Sequence, residues 1–168
     1  MSTRIPSRPL TLTMLMREAF VALNGVVLAR LAERGHPEVR AAHSAVFQYL
    51  DDTGTTVSAL AERAQMTKQA MAELVHHLEA HGYVSRVPDP ADRRAKLVLA
   101  TERGREVLAI ARALVPEIEE RVGAVVGAER VPSLVADLDA IRAALTDGGS
   151  SRTTAAARSA TSAGPARR

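Results

Sequence analysis

The apolar positions Leu12, Leu15, Met16, Ala19, Leu23, Val26, Val27 and Leu31 recur every three or four residues, which is helical spacing over five turns. Gly35 ends this helix, and Pro37 suits the first helical position of a second one with Val39, Ala42, Val46 and Leu50 along one face. Asp51, Asp52, Thr53 and Gly54 then read as a turn. Two short helices follow at 57–64 and 67–81, separated by Gln65 and Met66, with Thr67 as N-cap of the second and Gly82 as its stop. Strand-like runs at 83–87 and 95–100 flank a Pro/Asp-rich turn at 88–94, so they predict a hairpin. Thr101 is placed to cap a long helix with apolar positions at Val107, Leu108, Ala111, Leu114, Ile118, Val122 and Val125, kinked at Pro116. A last helix over 132–145 carries Leu134, Leu138, Ile141 and Leu145.

The helix pair at 57–81 has the form of a helix-turn-helix: a minimal turn, a small residue, Ala61, where the helices cross, and Met71, Leu74, Val75 and Leu78 facing inward. With that face fixed, Gln69, Glu73, His76 and Ala80 point the other way, flanked by Ala72, and Lys68 stands near the N-terminus. Recognition helices offer such N-terminal residues to the major groove. Gln69 can pair bidentately with adenine, and Lys68 can reach guanine or a phosphate. Thr67, with the free N–H groups behind it, suits a phosphate oxygen. Glu73 can accept from cytosine or hold a neighbouring cation. An ordinary helical pair with a polar outer face would look similar. The hairpin that follows distinguishes the two, because helix-turn-helix plus hairpin reads as a winged helix. A wing tip carrying Arg93 and Arg94, with Asp92 to hold the turn and Lys96 behind it, suits the phosphate backbone and the narrow minor groove of duplex DNA. The fold class expected is therefore mainly α with a small antiparallel β-hairpin wing.

Composition narrows the classes. The chain has 168 residues and no cysteine, which excludes disulfides, thiolate metal sites and thiol redox sensing. Its formal charge of +3 is misleading: without the four arginines of the last twenty residues the body stands at −1, so any nucleic-acid surface has to be local. Lysine occurs only at Lys68 and Lys96. No apolar stretch reaches the roughly 18 residues needed to span a bilayer and no signal-peptide pattern is seen, so a cytoplasmic protein without a membrane partner is expected. From 147 onward, Gly, Ser, Thr, Ala and Arg predict an unstructured tail.

The stretch DPADRRAKLVLATERG, residues 89–104, resembles the wing and following helix of the MarR family of bacterial transcriptional regulators. Asp92 and Arg94 match its Asp-x-Arg wing tip, Lys96 to Leu99 its alternating strand, and Thr101 with Gly104 its Thr-x-x-Gly helix start. The resemblance implies dimerisation helices at 1–35 and 102–146 around a DNA-binding winged helix-turn-helix at 36–101. It implies a homodimeric repressor of a palindromic operator on double-stranded DNA, released by a small aromatic or anionic effector. By position in such a fold, Phe20, His43, Phe47 and Arg112 are the candidate effector contacts, although Phe20 and Phe47 also read as core. Gln65 departs from the glycine common in the family's inter-helix turn, and Pro116 interrupts the long dimer helix.

His77 and His81, at i and i+4, raise a metal-responsive regulator as another reading, but no third ligand follows, and neither a metal nor another cofactor is expected. Ser58 and the carboxylate pairs Asp51–Asp52 and Glu119–Glu120 lack the setting of a catalytic site, and no Gly-rich phosphate loop is present, so an enzyme is not expected. A winged helix used only for protein contacts is the remaining class, and Lys68, Gln69 and the wing arginines argue against it.

Overall fold

The computed structural model describes residues 11–92 and 94–159, with side chains through 145. Thr11 caps α1 (Leu12–Glu33), and Gly35, at φ +92°, turns the chain out of it. A strap of five residues leads to a 3-10 turn (Ala41–His43) and α2 (Ser44–Tyr49). After β1 (Thr55–Thr56) come α3 (Val57–Arg63), α4 (Lys68–Ala80), β2 (Val84–Pro88) and β3 (Lys96–Ala100). The three strands form one antiparallel sheet in the order β1-β3-β2, with Thr55 opposite Val98 and Val84 opposite Ala100. Then follow α5 (Glu102–Ala113), α6 (Val115–Val126), a second 3-10 turn (Ala128–Arg130) and α7 (Val131–Ser159).

The chain divides into two compact units, one running to Val115 and the other starting at Pro116. In the first, Leu31, Val46, Leu60, Met71, Val75, Leu78, Tyr83 and Val98 form the centre of a core, all at 2% exposure or less. That core joins α1, α2, the helix pair and the sheet, so α4 is held from beneath by its own Met71, Val75 and Leu78. In the second unit, Gly123 is buried where an added Cβ would come within 3.2 Å of the Ala128 backbone, which lets the 3-10 turn fold back on α6.

The structure differs from the sequence expectations at several elements. The second helix starts at Ala41 and not at Pro37. Arg40 is extended (φ −111°, ψ 166°), and its N–H donates to His43 Nδ1 at 3.0 Å, which closes a 3-10 turn in place of a helical one. The wing sheet has a third strand, β1, too short to show any alternation in sequence. The long helix is broken at Leu114, and Pro116 occupies the first turn of α6, where its missing N–H costs nothing. Phe20 is exposed on α1 and is not core. By length and composition α1 could cross a bilayer despite Arg17 and Glu18, but here its inner face packs on α5. The backbone of α7 stays helical past 147, through the helix-favouring Ala155–Ala156–Ala157. Side chains beyond 145, and all of 160–168, lie outside the described residues, so the expected tail is described only as the backbone of 147–159.

Candidate nucleic-acid interface

Two threonine caps and one strained turn set the helix pair. Thr56 accepts from the Ala59 N–H and Thr67 from the Ala70 N–H, each at 3.2 Å, so both helices start where the sequence places them. Between them Gln65 takes φ +52°, in the left-handed region that favours glycine. With α4 anchored from below, Thr67, Lys68, Gln69, Glu73 and His76 are exposed on its outer face, and Ala72 is half-buried among them.

The wing is built by aspartates. Asp89 Oδ1 accepts from the Ala91 N–H at 2.8 Å and Asp92 Oδ1 from the Arg94 N–H at 2.9 Å. Asp92 therefore shapes the turn and leaves the Arg94 guanidinium exposed. Arg93 lies outside the described residues.

An open cleft of about 410 Å³ runs between the wing and the starts of α3 and α4. Lys68, Arg86, Arg94 and Lys96 line it together with Thr56 and Ser58. Both lysines of the chain are thus on this one surface. The cleft unites Lys68, Asp92, Arg94 and Lys96 of the expected contacts, while Gln69, Glu73 and His76 stand on the open face of α4 outside it. Arg86 and the cleft-facing role of Ser58 were not foreseen. Arg86 reads as a strand residue until the register sets it opposite Val98, and it leans on Glu79 at 3.3 Å. Four cations with one acid at the rim give the cleft a positively charged lining.

The expected effector residues do not converge. Phe47 lines an apolar pocket of about 240 Å³ with Val27, Leu28, Leu31, Val39 and Val107, and Asn24, Arg40 and Gln48 supply polar groups there. Arg112 lines a separate polar hollow with Asp51, Asp52 and Arg105. Phe20 lines neither, and His43 is buried at 3% exposure, stacked on His77. Asn24 and Arg40 could not be picked from sequence, because only the bend of the strap brings them together.

The junction between the strap, the approach to β2 and α5 is polar. Glu38 Oε2 accepts from the Tyr83 hydroxyl at 2.8 Å and from Arg103 Nη2 at 3.1 Å, and the guanidinium lies 4.6 Å over the Tyr83 ring. The Tyr83 hydrogen bond holds the Glu38 carboxyl below its ordinary value, and burial pushes the Tyr83 hydroxyl above 10. The histidine pair is already engaged: His77 Nε2 meets the Glu38 carbonyl at 3.0 Å and His81 Nδ1 the His77 carbonyl at 2.8 Å.

Residues 39–95 match the model of the MarR family. The transcriptional regulator HosA of Escherichia coli O111:H- is 37% identical over 70 residues, 42% of this chain and 52% of that protein. The chain thus spans about half the length of this relative. Among solved structures, CouR from Rhodococcus jostii RHA1 bound to p-coumaroyl-CoA superposes with a TM-score of 0.61 at 27% identity, covering 80% of this chain and 95% of that one. The repressor CouR bound to a 23-mer DNA duplex gives 0.62 at 22% identity, covering 79% and 92%. The fold is the winged helix flanked by helices that these proteins share.

Proposed function

We propose that this chain, whose residues 39–95 carry the winged helix of the MarR family, is a cytoplasmic DNA-binding transcriptional regulator that acts as a homodimer on a palindromic operator. The observation that carries the reading is the four-cation cleft beside the open face of α4. Lys68, Arg86, Arg94 and Lys96 grip phosphates from the wing side, with Arg93 next to them in sequence. Thr67 and the first N–H groups of α4 take another phosphate, and Gln69 with Ala72, Glu73 and His76 reads base edges. Selection of bound duplexes from a random pool tests all of this at once. A palindrome with half-sites about one helical turn apart is expected, and recovery of unselected sequence would sink the reading.

The chain acts as a repressor that lets go when an aromatic or anionic molecule enters the Phe47 pocket. That pocket supports the reading because its walls are apolar while Arg40 offers a cation at the rim. Arg112, in a different hollow, is not part of it. Release of operator by small aromatic acids, lost in Arg40→Ala, is the matching experiment.

A further inference from the structure

We propose that His43, His77 and His81 form a proton-sensitive lock that holds α4 in its operator-binding position and frees it in acid. The proposal rests on the DNA-binding reading above.

The three imidazoles follow one another in ring contact, the first pair stacked and the second tilted by 32°. The His43 and His77 ring centroids are 4.6 Å apart and tilted by only 20°, and His77 and His81 follow at 4.3 Å. His43 belongs to the 3-10 turn, His77 to α4, and His81 is the C-cap of α4. The stack therefore joins the strap to the helix that carries the base-reading face. A second tie runs beside it, the His77 Nε2–H donating to the Glu38 carbonyl on the strap.

The hydrogen bonds fix the proton positions. His43 Nδ1 accepts from the Arg40 N–H, so that nitrogen has to keep its lone pair. A proton added there would set N–H against N–H and open the turn. The charged neighbours acting on His43 all disfavour its protonated form: His77 of α4, His81 at the C-cap of that helix, and Arg40 from its own strap. No charged group of α1 or α2 contributes, and the Glu38 carboxylate is already held by Tyr83 and Arg103. Burial, followed by these neighbours, lowers His43 from 6.5 to about 4. Because the buried value lies below the open one, the lock is at full strength above pH 6.5 and weakens as pH falls toward 4. At pH 5 the ratio of open to closed lock rises about 30-fold.

The test is operator affinity by fluorescence anisotropy at about pH 7.5 and about pH 5, at fixed ionic strength, on the full chain and on His43→Asn. The asparagine Oδ1 can accept from the Arg40 N–H and does not titrate. The parent should lose affinity, by at most about 30-fold, and the variant should lose less. A parent that keeps its affinity, or a variant that falls with it, overturns the lock. Thermal unfolding of the free proteins at the same two pH values gives a DNA-independent arm, in which the melting temperature should drop further for the parent. If no duplex binds at neutral pH, the regulator reading fails, and the melts alone decide the lock: equal drops overturn it. Should His43→Asn not fold, imidazole proton NMR on the parent decides, because a His43 signal titrating near its ordinary value removes the basis of the proposal.

Discussion

The Thr101 hydroxyl is shared between the carbonyls of Gly82 and Tyr83, at 2.6 and 3.0 Å, while its oxygen accepts from the Gly104 N–H. Gly104 has to be bare, since a Cβ there would overlap the Tyr83 carbonyl oxygen. The Thr-x-x-Gly pattern is thus the joint between the sheet and α5. Gly104→Ala should cost about 3 kcal/mol, read as a lower denaturant midpoint with unchanged slope. At the DNA face the effects should separate by type. Arg94→Ala should reduce the slope of log affinity against log salt by about one per protomer, because it removes one phosphate contact. Gln69→Ala should leave that slope nearly unchanged and lose about 1–3 kcal/mol of preference at one base pair per half-site. Neither should shift the melting temperature noticeably, since both side chains are exposed. A salt series on matched operators checks the pair, and an Arg94→Ala protein that binds like its parent at every salt concentration would make that arginine a solvated turn residue.

Among elements, the turn between α3 and α4 carries a local cost. Gln65 sits at φ +52° with no glycine to relieve it. Gln65→Gly should stabilise the chain by about 0.5–1 kcal/mol, a rise of about 1–4 °C in melting temperature at fixed protein concentration. No gain would mean that the lost backbone freedom of glycine cancels the relief. The helix pair and the hairpin were legible in the sequence because threonine caps, turn residues and hydrophobic period all agree there. The strap was not: Pro37 is a fair helix start locally, but His43 captures the Arg40 N–H and delays the helix. Strand β1 was hidden because two residues carry no period, and the break at Leu114 because its apolar spacing runs on without interruption. The cleft was half legible. Lys68, Arg94 and Lys96 stand out beside turn and cap signals, whereas Arg86 and the Asn24–Arg40 pairing depend on register and on the strap.

For the whole molecule, the apolar surface left open is the main fact. Leu12, Leu15, Met16 and Phe20 are exposed along α1, as are Leu134, Val135, Leu138, Ile141 and Leu145 along α7. Surface of this kind on two helices asks for a partner, which in the proposed homodimer is a second copy. Sedimentation at micromolar concentration should give a dimer, and Leu138→Glu should shift it toward monomer and weaken operator binding in step. A monomeric parent would remove the two-half-site geometry. The lysine distribution has a practical outcome of its own. With Lys68 and Lys96 facing the same cleft, an amine-reactive ester has two side-chain targets in this chain, and both lie where duplex would sit. Acylation rates followed by mass spectrometry would then serve as a footprint of cleft occupancy, and a dye attached there would report on DNA without any engineered residue.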